Sequence, residues 1–375
     1  MTAGHPVGYP EVWHSRPHSD GRERRVAGRT LAVSGTGGSL PGNSALRNQL
    51  AQLADSGRLH HCLLFEGPPG VGKAATALWL ARRMNCTEPV DGNACGQCWS
   101  CRAIDKGHHP DVIVVGVDPE RTAPVVSVRQ ARELIRSLAL RPHSANRRFV
   151  IIDPADAMNA ASANALLKTF EEPPHDTGFV LVTGQPGALL TTVRSRSQRV
   201  RFARVADTEL RAWLEGKEVE EAAWIANLSD GCPGRALALA DGEAEAWRSA
   251  RDELLDALSG DIQGVFAFGE KRAKGDRSKW TAHVLLALDG LDRMLQDTWR
   301  WQVRGEQPAD ALFNPRQRRR IAAWADRLDP AGIARCAGAV EEARGQLRAF
   351  VNGRMMADAL LCRLATELGP ARKVT

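Results

Sequence analysis

The sequence contains no long apolar run. No stretch of its 375 residues approaches the roughly 18 consecutive apolar residues that a membrane-spanning helix needs. The opening segment, MTAGHPVGYPEVWHS, also lacks the basic start and apolar run of a secretory signal. We therefore expect a cytoplasmic protein with no membrane contact, in a compartment where disulfides are rare.

The excess of one charge is also small. Fifty Lys and Arg residues stand against 44 Asp and Glu, so the net charge of +6 permits contact with a polyanion such as DNA without requiring it. Hydrophobic residues make up 43% and charged residues 25%, which excludes a collagen and a multi-span transporter. There is no repeat of fixed period, and the length predicts two or three domains.

Short apolar runs predict the strands of a parallel sheet. Such near-continuous apolarity is typical of strands that are covered on both faces, and segments with helical spacing separate the runs. The runs are HCLLFEG (61–67), DVIVVGV (111–117), RRFVIID (147–153) and GFVLVTG (178–184), followed by the weaker RVRFARV (199–205). Strands alternating with helices predict a doubly wound α/β domain, and everything beyond is helical in pattern, so the fold class is α/β followed by all-α.

Composition and periodicity also predict the domain boundaries. Residues 1–42 are rich in Gly, Pro, Ser, His and Arg, which indicates a disordered or loosely held extension. The α/β module is predicted over 43–205, a small helical unit over 206–242 and a larger helical domain over 243–375.

A glycine loop follows the first predicted strand. Gly67, Gly70 and Gly72 stand in GPPGVGK, which ends at Lys73 and leads into a helix. Strand, loop and helix together supply backbone N–H groups, a positive helix end and an ammonium group for phosphates. The sequence therefore predicts an ATP or ADP site; the alternative is a tight turn with no ligand.

The groups that drive hydrolysis are missing from this loop. Ala74 stands where a Ser or Thr hydroxyl normally holds Mg²⁺. Asp153, at the end of the third strand, is placed as an acidic metal partner, but Pro154 follows it where an active ATPase has a glutamate that polarises water. Proline has no such group. Thr183, at the end of the fourth strand, is placed to sense a γ-phosphate. We expect nucleotide binding with little or no turnover.

Four of the eight cysteines are crowded into one segment. Cys86, Cys95, Cys98 and Cys101 fit a closed, tetrahedral, structural Zn²⁺ site. An iron–sulfur cluster and four free thiols are the alternatives. The other cysteines are expected to be small buried hydrophobic residues; they are Cys62, Cys232, Cys336 and Cys362.

Two arginines carry a functional interpretation beside a simpler one. Arg196 lies in the turn Arg194-Ser195-Arg196-Ser197, which could be a solvated basic turn or could reach the phosphates of a neighbouring subunit. Arg235 follows Gly234 in the small helical unit, and it either faces a nucleotide or is a surface arginine near a helix start.

In combination, these motifs resemble the clamp-loader branch of the AAA+ proteins. The resemblance is carried by the glycine loop, the four-cysteine insertion over 86–101, the segment SANALLKTFEEPP (162–174) and the Ser195-Arg196-Ser197 turn. It extends from about Gly42 to the C-terminus. In that branch the third position of the turn is a cysteine, and here it is Ser197.

The resemblance implies an AAA+ module with a zinc insertion, a helical lid over 206–242 and a C-terminal collar over 243–375. It also implies a hetero-pentameric ring with delta and gamma/tau subunits, which opens the sliding clamp and places it on primed DNA. Arg196 is then an arginine finger that acts in a neighbour's ATP site, and Lys168 is a candidate contact to DNA or to the neighbour, although a solvated lysine fits equally.

Two other functions are consistent with a phosphate loop. An ATP-hydrolysing gamma/tau motor also carries the zinc insertion, so Ala74 and Pro154 are the residues that distinguish it. A small-molecule P-loop kinase predicts a substrate pocket and a lid close to the loop, not a long helical stretch after Arg204.

Overall fold

A computed structural model describes most of the chain in two compact units. The described residues are 40–118, 124–144, 146–259, 277–308, 311–348 and 353–368. Within them, the first unit comprises 40–213 and 231–234, and the second comprises 214–230 and the residues from 235 onward. Nearly all of the predicted N-terminal extension (1–42) lies outside the described residues.

The first unit is built on a five-stranded, wholly parallel sheet. Its strands are β1 (Cys62–Glu66), β2 (Val112–Val115), β3 (Arg148–Ile152), β4 (Thr177–Thr183) and β5 (Gln198–Arg201). Their order across the sheet is β2-β3-β4-β1-β5. β1, β3 and β4 are buried along their whole length, as their apolar runs predict, whereas the edge strand β5 is largely exposed, which explains its weaker pattern.

Helices cover both faces of this sheet. They are α1 (Ser44–Asp55), α2 (Lys73–Asn85), α3 (Trp99–Asp105), α4 (Val128–Leu138), α5 (Ala160–Glu171) and α6 (Thr191–Arg194). Helix α7 (Asp207–Glu215) follows β5 along the chain, and its last residues belong to the second unit. Successive residues of a strand point to opposite faces. Leu64 accordingly packs with α4 and α5, while Leu63 and Phe65 pack with α1 and α2. This arrangement confirms the predicted doubly wound α/β module.

The second unit is helical throughout its described residues. Its helices are α8 (Ala222–Ser229), the greater part of α9 (Pro233–Ala238), α10 (Ala244–Ser259), α11 (Arg277–Arg304), α12 (Arg318–Arg327), α13 (Pro330–Arg348) and α14 (Gly353–Leu368). Fully buried residues such as Leu288, Val340 and Leu361 form one core between the long helices. The prediction of an α/β region followed by an all-α region is confirmed.

A buried carboxylate fixes one loop of the second unit. Asp297 on α11 is inaccessible to solvent and accepts hydrogen bonds from the backbone N–H groups of Phe313 and Asn314, at 3.0 and 2.9 Å. The Asn314 side-chain amide also donates to it, at 3.0 Å. Three donors compensate for much of the cost of burying this group.

The domain boundaries at 205 and 242 remain predictions, because the predicted lid (206–242) is divided between the two units.

One cysteine prediction is wrong: Cys362 is exposed, because α14 buries its opposite face through Leu360, Leu361 and Leu364. In the described part of the chain, every helix is too short or too polar to cross a bilayer.

Candidate functional site

The glycine loop connects β1 to α2, as predicted. Gly67 has a φ of 151°, and a Cβ atom there would lie 2.5 Å from the carbonyl oxygen of Phe202, so only glycine fits. Gly72 has a φ of 99° and is the N-cap of α2. Gly70 also has a positive φ, of 77°. The three glycines therefore let the backbone turn sharply, and the chain then enters α2 at its N-terminus, which is the positive end of the helix dipole.

Lys73, the first residue of α2, is buried beneath this loop. Its Nζ donates hydrogen bonds to the carbonyl oxygens of Gly67 and Pro68, at 2.7 and 2.6 Å. Burial lowers the pKa of Lys73 to about 8, although the carboxylates of Asp153 and Asp156 act in the opposite direction. The ammonium group thus lies within the glycine loop, which is the predicted phosphate-binding loop.

Two carboxylates and a hydroxyl lie beside this lysine. Burial raises the pKa of Asp153, directly after β3, to about 6, although the Lys73 ammonium opposes that shift. Thr183, at the end of β4, is fully buried; its hydroxyl donates to Asp156 and accepts from the backbone N–H of Gln185 at 2.9 Å. The strand order brings these groups together, because β3 and β4 are neighbours and β4 pairs with β1.

Asp156 was not among the site residues predicted from the sequence. It lies three residues after Asp153, in a short 3₁₀ turn over Ala155–Ala157. The only signal in the sequence was a second aspartate close behind the third strand.

The segment 231–234 packs directly against the glycine loop. The backbone N–H of Gly234 donates to the carbonyl oxygen of Gly70 at 2.8 Å. A Cβ atom on Gly234 would lie 3.1 Å from the Gly70 Cα, so glycine allows this close approach. The next residue, Arg235, has a partner in the second unit, because its Nη2 lies 2.8 Å from Asp289 Oδ2. The predicted contact of Arg235 with nucleotide stays a prediction.

The four clustered cysteines come together in space. All four Sγ atoms lie within 4.8 Å of one another, and those of Cys86 and Cys98 are 3.9 Å apart. Backbone N–H groups point at the sulfurs: Cys95 N donates to Cys86 Sγ at 3.3 Å, and Cys98 N donates to Cys95 Sγ at 3.2 Å. Such donors stabilise thiolates, so the cluster can bind a metal ion.

The acidity of one thiol fits this chemistry. Burial raises the pKa of Cys98, but hydrogen bonds from Cys101 and Thr87 outweigh that effect and lower it to about 6. A thiol with that pKa is deprotonated at neutral pH and therefore ready to coordinate a metal.

The arginine turn lies between α6 and β5. Arg196 is half-exposed; its Nε forms an ion pair with Glu171, and its Nη1 donates to the carbonyl oxygen of Thr192 at 2.9 Å. Ser197 is turned inward, and its hydroxyl donates to the Val193 carbonyl oxygen at 2.9 Å. The Nε and Nη1 groups of Arg196 are therefore both bound to acceptors in the same chain.

Arg196 and Lys73 lie at opposite ends of the strands. Gln198, which begins β5, pairs with Leu63 near the start of β1, whereas the glycine loop follows the other end of β1. Four to five residues of strand separate the two ends, about 15 Å at ~3.3 Å per residue. Helix α5 buries Ala163, Leu166 and Phe170 and exposes Lys168.

The sequence has clear relatives among known proteins. The family described as "DNA polymerase III, delta subunit" matches residues 42–206. DNA polymerase III subunit delta' of Escherichia coli K12 is 31% identical over 325 residues, which cover 84% of this chain and 92% of that protein. The corresponding Pseudomonas aeruginosa subunit is 38% identical over 156 residues, 42% of this chain and 46% of its own length.

Gamma/tau subunits of DNA polymerase III are similar as well. DNA polymerase III subunit gamma/tau of Mycobacterium tuberculosis H37Rv is 29% identical over 346 residues, which cover 84% of this chain and 58% of that protein. The E. coli delta' relative combines higher identity with nearly complete coverage of both chains. On these grounds, this chain belongs to the family of DNA polymerase III delta' subunits.

Proposed function

We propose that this chain is the delta' subunit of a clamp loader and that it hydrolyses little or no ATP itself. It assembles with delta and gamma/tau subunits into a hetero-pentameric ring in the cytoplasm, and the ring loads the sliding clamp onto primed DNA. One observation carries this proposal. The phosphate loop lacks the groups needed for hydrolysis, and a half-exposed arginine lies at the opposite end of the sheet from that loop.

The loss of hydrolysis follows from two side chains. Ala74 offers no oxygen to Mg²⁺, and Pro154 cannot orient or deprotonate a water molecule. The phosphate cradle of Gly67, Gly70, Gly72 and Lys73 is nevertheless retained, which supports binding of ATP or ADP without turnover.

The position of Arg196 supports action on a neighbouring subunit. About 15 Å of strand separates it from the chain's own glycine loop, so its guanidinium cannot reach a nucleotide held there. Nε and Nη1 are held by Glu171 and Thr192, whereas Nη2 makes no hydrogen bond among the described residues. That free edge is suited to a phosphate of the adjacent gamma/tau subunit.

We infer that the metal of the cysteine cluster is structural Zn²⁺. Zn–S bonds of about 2.3 Å in a tetrahedron place the sulfurs about 3.8 Å apart. The 3.9 Å between Cys86 and Cys98, and the 4.8 Å limit for the whole cluster, fit one ion better than an iron–sulfur cluster, whose cysteines bind separate irons. With four thiolates bound, no position remains for a reacting water.

Reconstitution tests the proposed function. The full-length chain, mixed with delta and gamma/tau subunits, should elute with them as one complex that loads clamps onto primed DNA. The isolated chain should release no phosphate from ATP above a Lys73→Ala blank. Failure to join the complex would refute the assignment.

A gamma/tau-type motor is the second candidate, because the phosphate loop is intact and a gamma/tau protein is 29% identical over most of this chain. Phosphate release by the isolated wild-type chain that disappears in Lys73→Ala would favour this motor.

A further inference from the structure

We propose that the nucleotide site accepts a nucleoside diphosphate in preference to a triphosphate, because Asp156 takes the place of the γ-phosphate among its usual partners. This inference rests on the proposal that the glycine loop binds nucleotide. It concerns which nucleotide that loop retains.

The first partner is the hydroxyl of Thr183. A hydroxyl has one proton to donate, and here that proton goes to the Asp156 carboxylate. The hydroxyl oxygen accepts the N–H of Gln185 at 2.9 Å, which fixes its orientation. A γ-phosphate could gain this donor only if Asp156 released it.

The second partner is the ammonium group of Lys73. The carboxylates of Asp153 and Asp156 both interact favourably with it. In active P-loop proteins the equivalent lysine reaches the β- and γ-phosphates. At this site a γ-phosphate would bring further negative charge beside a carboxylate that already interacts with the lysine, in surroundings where water screens charge poorly.

The missing magnesium ligand increases this repulsion. Mg²⁺ bridges the β- and γ-phosphates and neutralises their charge when a hydroxyl after the lysine helps to hold it. Ala74 provides no such hydroxyl. The β-phosphate does not depend on these groups to the same extent, because the backbone N–H groups of the loop and the N-terminus of α2 can hold it.

The test compares two nucleotides on the full-length chain. Calorimetric titrations with ADP and with the slowly hydrolysed analogue ATPγS, with and without Mg²⁺, should show ADP binding at least about tenfold more tightly. Asp156→Asn removes the charge but keeps an oxygen that can accept the Thr183 hydroxyl. It should tighten ATPγS binding about tenfold and change ADP binding by less than about threefold.

The controls separate charge at this position from other effects. Asp176→Asn removes an exposed carboxylate just before β4, at the opposite end of that strand from Thr183, and should leave both affinities unchanged. Asp156→Ser removes the charge with a smaller side chain, so it repeats the test if the asparagine variant folds poorly. Circular dichroism confirms that each variant is folded.

The outcomes distinguish this inference from the function on which it rests. Equal affinities for ADP and ATPγS, or tighter ATPγS binding through Mg²⁺, would overturn the diphosphate preference and leave the nucleotide site intact. An unchanged ratio in both Asp156 variants would also overturn it. If neither nucleotide binds the wild-type chain, the nucleotide site itself is refuted, and the diphosphate preference with it.

Discussion

Replacing Arg196 with alanine should abolish catalysis at a neighbouring ATP site while hardly changing the stability of this chain. The side chains of Arg196 and Glu171 are 35% and 44% exposed, and exposed ion pairs contribute about 0–1 kcal/mol. The free energy of unfolding should therefore fall by no more than about 1 kcal/mol. An arginine finger, in contrast, contributes about 10³–10⁵ in rate at the site it completes.

The assay must isolate that one site. In a reconstituted ring, the P-loop lysines of the other motor subunits are substituted, so that ATP turnover reports only the site next to this chain. Turnover should then fall at least about a thousandfold in Arg196→Ala. Arg196→Lys should restore little of it, because lysine keeps the charge but lacks the planar fork of donors.

Arg194→Ala is the matched control. Arg194 ends α6 in the same basic turn, where its Nη2 lies 3.2 Å from the hydroxyl of Thr191. Both variants therefore remove one positive charge from the turn, but only Arg196→Ala should stop turnover. If turnover in Arg196→Ala equals that of wild type, or if Arg194→Ala is equally inactive, the assignment of the finger is refuted.

Four further measurements test other parts of the molecule. Mass spectrometry of metals should find one zinc per chain, and Cys98→Ser should lose most of it because a tetrahedral site needs four ligands. Glu171→Gln should slow the neighbouring site by no more than about fivefold, since it removes only an exposed pair that orients Arg196. Asp297→Ala leaves three N–H donors unpaired and should lower the free energy of unfolding in urea by about 3 kcal/mol or more. Burial lowers the pKa of Lys73 from 10.5 to about 8, so nucleotide affinity measured by calorimetry should fall as the pH rises through 8, where the ammonium loses its proton.

Much of the fold could be predicted from the sequence because its signals are local. The runs that became β1, β3 and β4 are apolar along their whole length, since both faces of those strands are buried. The cysteine cluster could be predicted equally well, because its four cysteines lie within one short segment. Cys362 shows the limit of such reasoning: an apolar neighbourhood does not reveal which face of α14 points inward.

The contacts that define the site depend on strand order, which local patterns do not contain. Asp156 meets Thr183 only because β3 and β4 are neighbours, and the two residues are far apart in sequence. The pairing of Glu171 with Arg196 likewise requires the end of α5 to lie beside the turn before β5. Both contacts appear only when the chain is folded.

In the proposed function one module serves two sites, and the parallel sheet allows this. Every strand of a parallel sheet begins at one edge and ends at the other, so a loop that follows β1 and a turn that precedes β5 lie at opposite edges although the two strands are adjacent. Residues at the loop can therefore change without disturbing the arginine turn. In the proposed function, Ala74 and Pro154 remove hydrolysis from the chain's own site, while Arg196, at the opposite edge of the sheet, acts at the site of a neighbour.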